Sequence, residues 1–311
     1  MTVVRAAGAA GPVADSSEVE RDTRKKRLRG AVAVTVAILL LEVAGGLVAH
    51  SLALLADAAH MFADIAALLL AYAGLTLAGR APSGRHTFGL YRAEILAAFV
   101  NAQILLLVAL YIGYEAVRRF RRPVEIHTGI MFWIAVAALS GNVLSAMLLS
   151  RGSASSLNMR AAYLEVVTDM LGSLAVLAAA IAIPLTGWRW LDAAVSGGVA
   201  LFILPRAAGL LRQSAHILLE GSPGEIDLPS LRQEILGLPG VEELHDLHCW
   251  TLTSGLHSAS VHIRASPESG RAEVLAAVQK LLREEAGVEH ATIQLEWGSE
   301  MTCHSSSRGH A

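Results

Sequence analysis

Residues 51–72 read SLALLADAAHMFADIAALLLAY, and this stretch decides the fold. It is apolar enough to cross a bilayer, yet it carries Asp57, His60 and Asp64. His60 and Asp64 are four apart, so on a helix of about 3.6 residues per turn they stand on one face, one turn above the other. An ionised carboxylate in hydrocarbon is costly and has to face a cavity, a partner or an ion. An imidazole and a carboxylate on one face are half of a four-coordinate site for a divalent metal. Further along, AAYLEVVTDMLGSLAVLAAAIAI (161–183) repeats the spacing with Glu165 and Asp169, again inside an apolar run. Two membrane helices that each present two ligands at equal depth would supply one imidazole and three carboxylates.

Composition agrees with a membrane setting. The chain has 311 residues, a mean hydropathy of +0.50 and 17% charged residues, and several apolar runs approach the roughly 20 residues that a bilayer requires. A net charge of -2 gives no basis for nucleic-acid binding. Cys249 and Cys303 are too few for a disulfide framework, and neither lies in a CxxC pair. The first 30 residues lack an apolar core, so no cleavable signal peptide is expected.

Hydropathy places six spans near 31–49, 53–79, 92–117, 128–150, 159–184 and 190–213, the first two joined by a hairpin at His50 and Ser51. Residues 1–29 read as a disordered tail ending in the basic run Arg24, Lys25, Lys26, Arg27 and Arg29. By the positive-inside rule that run puts the amino terminus in the cytoplasm, and an even number of spans returns the carboxy terminus to the same side. Arg80, Arg85, Arg92, Arg151 and Arg160 agree with this orientation; Arg118, Arg119, Arg121 and Arg122, between spans three and four, oppose it. Within the spans, Glu42, Asn101, Gln103 and Asn142 are expected to hydrogen-bond between helices, and Asp192 to cap the last span. Pro205, just before Arg206, is expected to kink that span. Gly45, Gly46, Gly197 and Gly198 are expected to allow close helix packing.

After about Gly221 the pattern becomes that of a small α/β domain in the order αββαβ. A short amphipathic helix over 228–237 precedes strands over 243–253 and 257–264, which turn at Ser254 and Gly255. A helix over 270–286 puts Val274, Leu275, Val278, Leu281 and Leu282 on one face, and 290–297 forms a third strand. His245, His248 and His262 lie on the first two strands and Glu296 on the third. His245 and His248 also read as half-buried strand residues beside Trp250, with Cys249 turned to the core.

Taken together, SLALLADAAHMFAD, HTFGLYRAEILAAFVNA, AAYLEVVTDMLGS, LHDLHCWTLTSG and ATIQLEW resemble the cation diffusion facilitator family of zinc transporters, in the right order over about residues 28–297. The resemblance implies an α-helical membrane protein: six transmembrane helices, 30–215, then a cytoplasmic ferredoxin-like domain, 216–297, for dimerisation and metal sensing, and a flexible tail, 298–311. It implies a homodimer in the cell membrane, not an enzyme and without a prosthetic group. It implies export of a divalent cation from the cytoplasm in exchange for protons, with Zn2+ as substrate and regulatory ion. His60, Asp64, Glu165 and Asp169 fall on the family's transport site. His245, His262 and Glu296 match metal positions in the cytoplasmic domain of some relatives, with Cys303 or His304 available to complete the shell.

One position departs from the zinc pattern. Glu165 stands where the family usually has histidine, and an oxygen donor there moves the site toward harder ions such as manganese or ferrous iron, although glutamate remains a competent zinc ligand. Three ionised carboxylates also outweigh one divalent ion by a unit of negative charge, which leads to the expectation that Glu165 takes up a proton, with His60, when metal leaves. Some relatives hold a second metal between spans two and three. Here only His86 is offered, with Leu90 and Ser83 at the partner positions, so that site is not expected. The alternatives to a zinc:proton antiporter are export of cadmium, manganese, iron or cobalt, and a membrane-anchored metal sensor. An intramembrane metallohydrolase finds no HExxH in the chain.

Overall fold

The structure is a computed structural model in which residues 13–78, 83–153 and 157–296 are described. Six helices are long and apolar enough to cross a membrane: α1 (Val13–Ala49), α2 (Leu52–Ala78), α3 (Arg92–Arg121), α4 (Thr128–Ser153), α5 (Leu157–Thr186) and α6 (Trp190–Leu218). They follow the six hydropathy spans. The amino-terminal tail differs from expectation, because α1 already begins at Val13. The sequence allows this: residues 13–29 contain no Gly or Pro to interrupt a helix. Residues 1–12, and the tail with Cys303 and His304, lie outside the described residues.

The chain forms two compact units, one of residues up to Ile65 with Ile104–Arg206, the other of Ala66–Gln103 with the remainder. In the first unit α1 packs on α4 and α4 on α5. Glycine sets the spacing of α1 and α4. A β-carbon would fall 1.7 Å from Ile134 Cδ1 at Gly45, and 2.7 Å from Ile38 Cδ1 at Gly141. Gly198, expected to do the same, has nothing within 4 Å of that point and lines a cavity instead. A small residue from each helix stands where α2, α3 and α6 meet: Ala56, Ala116 and Ala200.

The entry into α2 is held from a distance. His50 closes α1 with a left-handed backbone (φ 55°), and Ser51 N–H bonds back to Gly46 C=O at 3.1 Å. Ser51 then caps α2, its Oγ accepting from Leu54 N at 3.2 Å. Asp192, expected to cap its own helix, caps α2 instead. Its carboxylate accepts from Ser51 Oγ (2.6 Å), Leu52 N (2.9 Å) and Ala53 N (3.2 Å), and Arg119 stands 3.8 Å away. This fixes the rotation of the helix that carries His60 and Asp64. Asp192→Ala orphans two buried amide donors and a hydroxyl, and is expected to cost about 2–4 kcal/mol. Thermal melting checks this, and Asp192→Asn, which keeps one acceptor, should lose less than half as much.

In the second unit, α7 (Leu228–Leu236), β1 (Val241–Thr253), β2 (Leu256–Ala265), α8 (Arg271–Glu284) and β3 (Val288–Glu296) give the expected αββαβ order. β2 is central, antiparallel to β1 and parallel to β3, with α8 as the crossover. Leu231, Ile235, Leu244, Val261, Ile263, Val274, Val278 and Leu282 fill its core. A bulge between His245 and His248, with Asp246 at φ 50°, shifts the alternation of β1 by one residue. Cys249 therefore points inward while His248 is exposed. The β1–β2 turn is tied to the start of α3: Thr253 Oγ1 and Ser254 Oγ both donate to Glu94, the second at 2.9 Å. Nearby, Arg92 pairs with Glu220 at 3.0 Å.

Candidate metal centre

α2 and α5 bring three of the four expected ligands together. Ligand atoms of His60, Asp64 and Asp169 all lie within 4.8 Å of one another. His60 Nδ1 is 3.6 Å from Asp64 Oδ2. His60 and Asp169 are buried, at 6% and 5% exposure, in a stretch that the sequence makes apolar. Three atoms of metal-ligand type here have no hydrogen-bond partner: His60 Nε2, Asp64 Oδ2 and Asp169 Oδ1. A buried polar atom without a partner is costly, and a divalent cation would satisfy all three at once. The donor chemistry, one imidazole with carboxylate oxygens, suits zinc or a harder divalent ion.

Glu165, the fourth expected ligand, is outside this compact group. Its carboxylate turns to Arg206 on α6, with Nη1 donating to Oε1 at 3.2 Å, and Arg206 Nη2 also stands 3.7 Å from Asp64 Oδ1. In the sequence Arg206 stands out only as the neighbour of Pro205. The signal was present, since it is a charged residue within an apolar run, but its two partners are more than 40 and 140 positions away and no local pattern pairs them.

A cavity of about 360 Å³ opens beside the centre, lined by Asp57, His60, Gly172, Gly198 and Phe202 among others. Phe202 meets the His60 ring edge-on at 6.2 Å between centroids. Beyond His60, Asp57 is reached by Ser173 Oγ at 3.4 Å, and Asn142 Nδ2 donates to that hydroxyl at 3.2 Å. Asn142 is thus the interhelical donor expected from sequence. Glu42 is fully buried and its carboxyl group faces that of Asp57 on α2.

A second cluster lies on the sheet of the α/β domain. The β1–β2 register pairs His245 with His262, and β3 adds Glu296 from the far side of β2. Their ligand atoms fall within 4.8 Å of one another. Both His245 Nε2 and His262 Nδ1 stand 3.5 Å from Glu296 Oε1, and His262 Nδ1 has no hydrogen-bond partner. This orphaned nitrogen beside a buried carboxylate fits a bound divalent ion. His248 is not in the cluster. His86 sits in a turn closed by reciprocal main-chain bonds with Ser83, both 3.0 Å.

Cys249 belongs to the core, where burial pushes its thiol up to about 11. The thiolate is the reactive form, so iodoacetamide at pH 8 is expected to leave Cys249 unlabelled in the folded protein and to modify it after denaturation, as site-resolved mass spectrometry would show. Because the folded thiol holds its proton more tightly than the unfolded one, its contribution to stability is complete below the ordinary thiol range and is lost as pH rises toward 11.

Six membrane-length helices, an acid–histidine centre between two of them, and a ferredoxin-like domain after them define a polytopic membrane protein built to handle cations. Family comparison agrees: residues 28–219 match the cation efflux transmembrane domain, and residues 223–297 the cytoplasmic domain of cation efflux proteins. The chain belongs to the cation diffusion facilitator family of cation efflux transporters, which are not enzymes. The metal cation efflux system protein CzcD of Cupriavidus metallidurans is 45% identical, over 88% of this chain and 86% of the relative. The zinc transporter ZitB of Escherichia coli is 40% identical, over 93% and 92%. A cadmium, cobalt and zinc/H(+)-K(+) antiporter of Bacillus velezensis is 38% identical, over 88% and 89%.

Proposed function

We propose that the chain exports a divalent metal cation, zinc foremost, from the cytoplasm in exchange for protons. The observation that carries this is the set of three unpartnered ligand atoms on His60, Asp64 and Asp169, held between two membrane-length helices. Metal takes these positions when they are deprotonated, and protons take them when it leaves. One site that binds either cargo and opens to one side at a time is an antiporter. Glu165 completes the ligand set when the site is loaded. The relatives named for zinc and for proton-coupled antiport support the ion and the coupling.

The protein works as a homodimer in the cell membrane, with both termini in the cytoplasm. The basic tail supports this orientation. On the outer side, Arg118 and Arg119 have a structural reason to stand there, each held at 3.0 Å by Glu115. His245, His262 and Glu296 form a regulatory metal site, and occupancy that draws two cytoplasmic domains together biases the membrane dimer toward one state.

Purified protein in proteoliposomes tests the proposal, with zinc, cadmium, manganese, cobalt and ferrous iron compared under an imposed pH gradient. Zinc is expected to move fastest and to slow sharply when the gradient is dissipated. Flux indifferent to the gradient would remove the antiport reading. No flux of any ion, with metal still bound by the α/β domain, would leave the membrane-anchored sensor.

A further inference from the structure

We infer that Arg206 is a fixed counter-cation that makes Glu165 usable as a ligand, so that the two together replace the single neutral imidazole of the zinc-type site. This rests on the proposal that His60, Asp64, Glu165 and Asp169 hold the transported ion. Counting charge at that site without Arg206, a divalent ion leaves the three carboxylates with one negative charge in excess. Arg206 supplies the missing positive charge. Its guanidinium is 3.2 Å from Glu165 and 3.7 Å from Asp64, ligands that come from α5 and α2 respectively. Among the ligands, the ion and Arg206 therefore balance Asp64, Glu165 and Asp169, with His60 neutral; the neighbouring buried acids Asp57 and Glu42 are the same in every variant below.

The geometry argues against an incidental surface pair. An exposed ion pair contributes little in water, and Arg206 is about half exposed, at 55%. It lies, however, within the sixth membrane-length span, where an arginine with no local role turns its head toward the interface. Here the head turns to two carboxylates on two other helices. The bidentate fork of a guanidinium suits that bridging position, and its charge is fixed at all working pH values.

Neutrality matters because the loaded site changes its exposure during transport, and moving a net charge through a low-dielectric barrier is slow. Arg206→Gln leaves the loaded site one charge negative. It should bind zinc at least about tenfold tighter and turn over at least about tenfold slower at saturating zinc. Glu165→His leaves the site one charge positive, and should bind more weakly and also turn over about tenfold slower. The double variant, Glu165→His with Arg206→Gln, restores neutrality and should recover saturating flux to within about threefold of the parent, whereas independent effects would multiply to about a hundredfold loss.

The experiment measures zinc affinity and saturating zinc flux for these variants of the full-length protein in proteoliposomes, each also carrying His262→Ala to silence the α/β cluster. Arg206→Lys, which keeps the charge but not the fork, should lose clearly less flux than Arg206→Gln. Recovery in the double variant carries the inference. A double variant as slow as the product of the singles, an Arg206→Gln protein with unchanged flux, or an Arg206→Lys protein as impaired as Arg206→Gln would each overturn it. Failure of the underlying site is a separate result: it shows as zinc flux that survives Asp169→Ala.

Discussion

Asp169→Ala is expected to reduce metal flux by at least about a hundredfold, beyond the range seen for residues that only support a ligand. Asp169 is almost fully buried, and its Oδ1 has no partner in the protein. Its side chain sits one helical turn from Glu165 and within ligand distance of His60 and Asp64. Alanine removes one oxygen of the ion's shell and leaves nothing nearby to replace it. The fold should not suffer, because the substitution removes an unsatisfied buried carboxylate rather than a packing contact; the melting temperature is expected to hold or rise. Asp64→Ala should behave alike. Flux in proteoliposomes, together with metal tolerance of a metal-sensitive host, measures both. Flux above half of the parent value, in a folded protein, would remove Asp169 from the site.

Glu165→His is expected to raise the preference for zinc over manganese by about tenfold, read as the ratio of their dissociation constants. The exchange of a carboxylate oxygen for an imidazole nitrogen softens the donor set, which favours zinc over harder ions. The ratio isolates this ligand effect, because the added positive charge beside Arg206 weakens both ions together. An unchanged ratio would mean that Glu165 does not touch the ion at all and serves only as the partner of Arg206. The structure makes that outcome a sharp one, since Glu165 is the one expected ligand outside the compact group of three.

The reach of sequence reasoning here follows the range of the interactions involved. The spans were legible because hydropathy is summed over a whole helix, and His60/Asp64 and Glu165/Asp169 because i, i+4 spacing is a local geometric fact. The αββαβ order was legible from periods of 2 and 3.6. What escaped were the bonds between distant elements. Asp192 reads as a cap of the helix it opens, yet it caps α2, some 140 positions away. Arg206 carries no spacing signal toward Glu165 or Asp64. The bulge at Asp246, a residue with left-handed backbone inside a strand, turns His245 and His248 to the same face of the sheet, where simple alternation would set them on opposite faces. The same holds for the guanidinium beside the carboxylates, since Arg206 comes from a third helix.

The most direct measurement is X-ray absorption on zinc-loaded full-length protein with His245 and His262 both replaced by alanine, so that any bound zinc reports on the membrane site. About one equivalent of zinc is expected, lost on Asp64→Ala, with one imidazole and otherwise oxygen neighbours near 2.0–2.2 Å. Two or more imidazoles, sulfur in the shell, or zinc that persists after Asp64→Ala would place the ion elsewhere and rule out a transport site on His60, Asp64, Glu165 and Asp169.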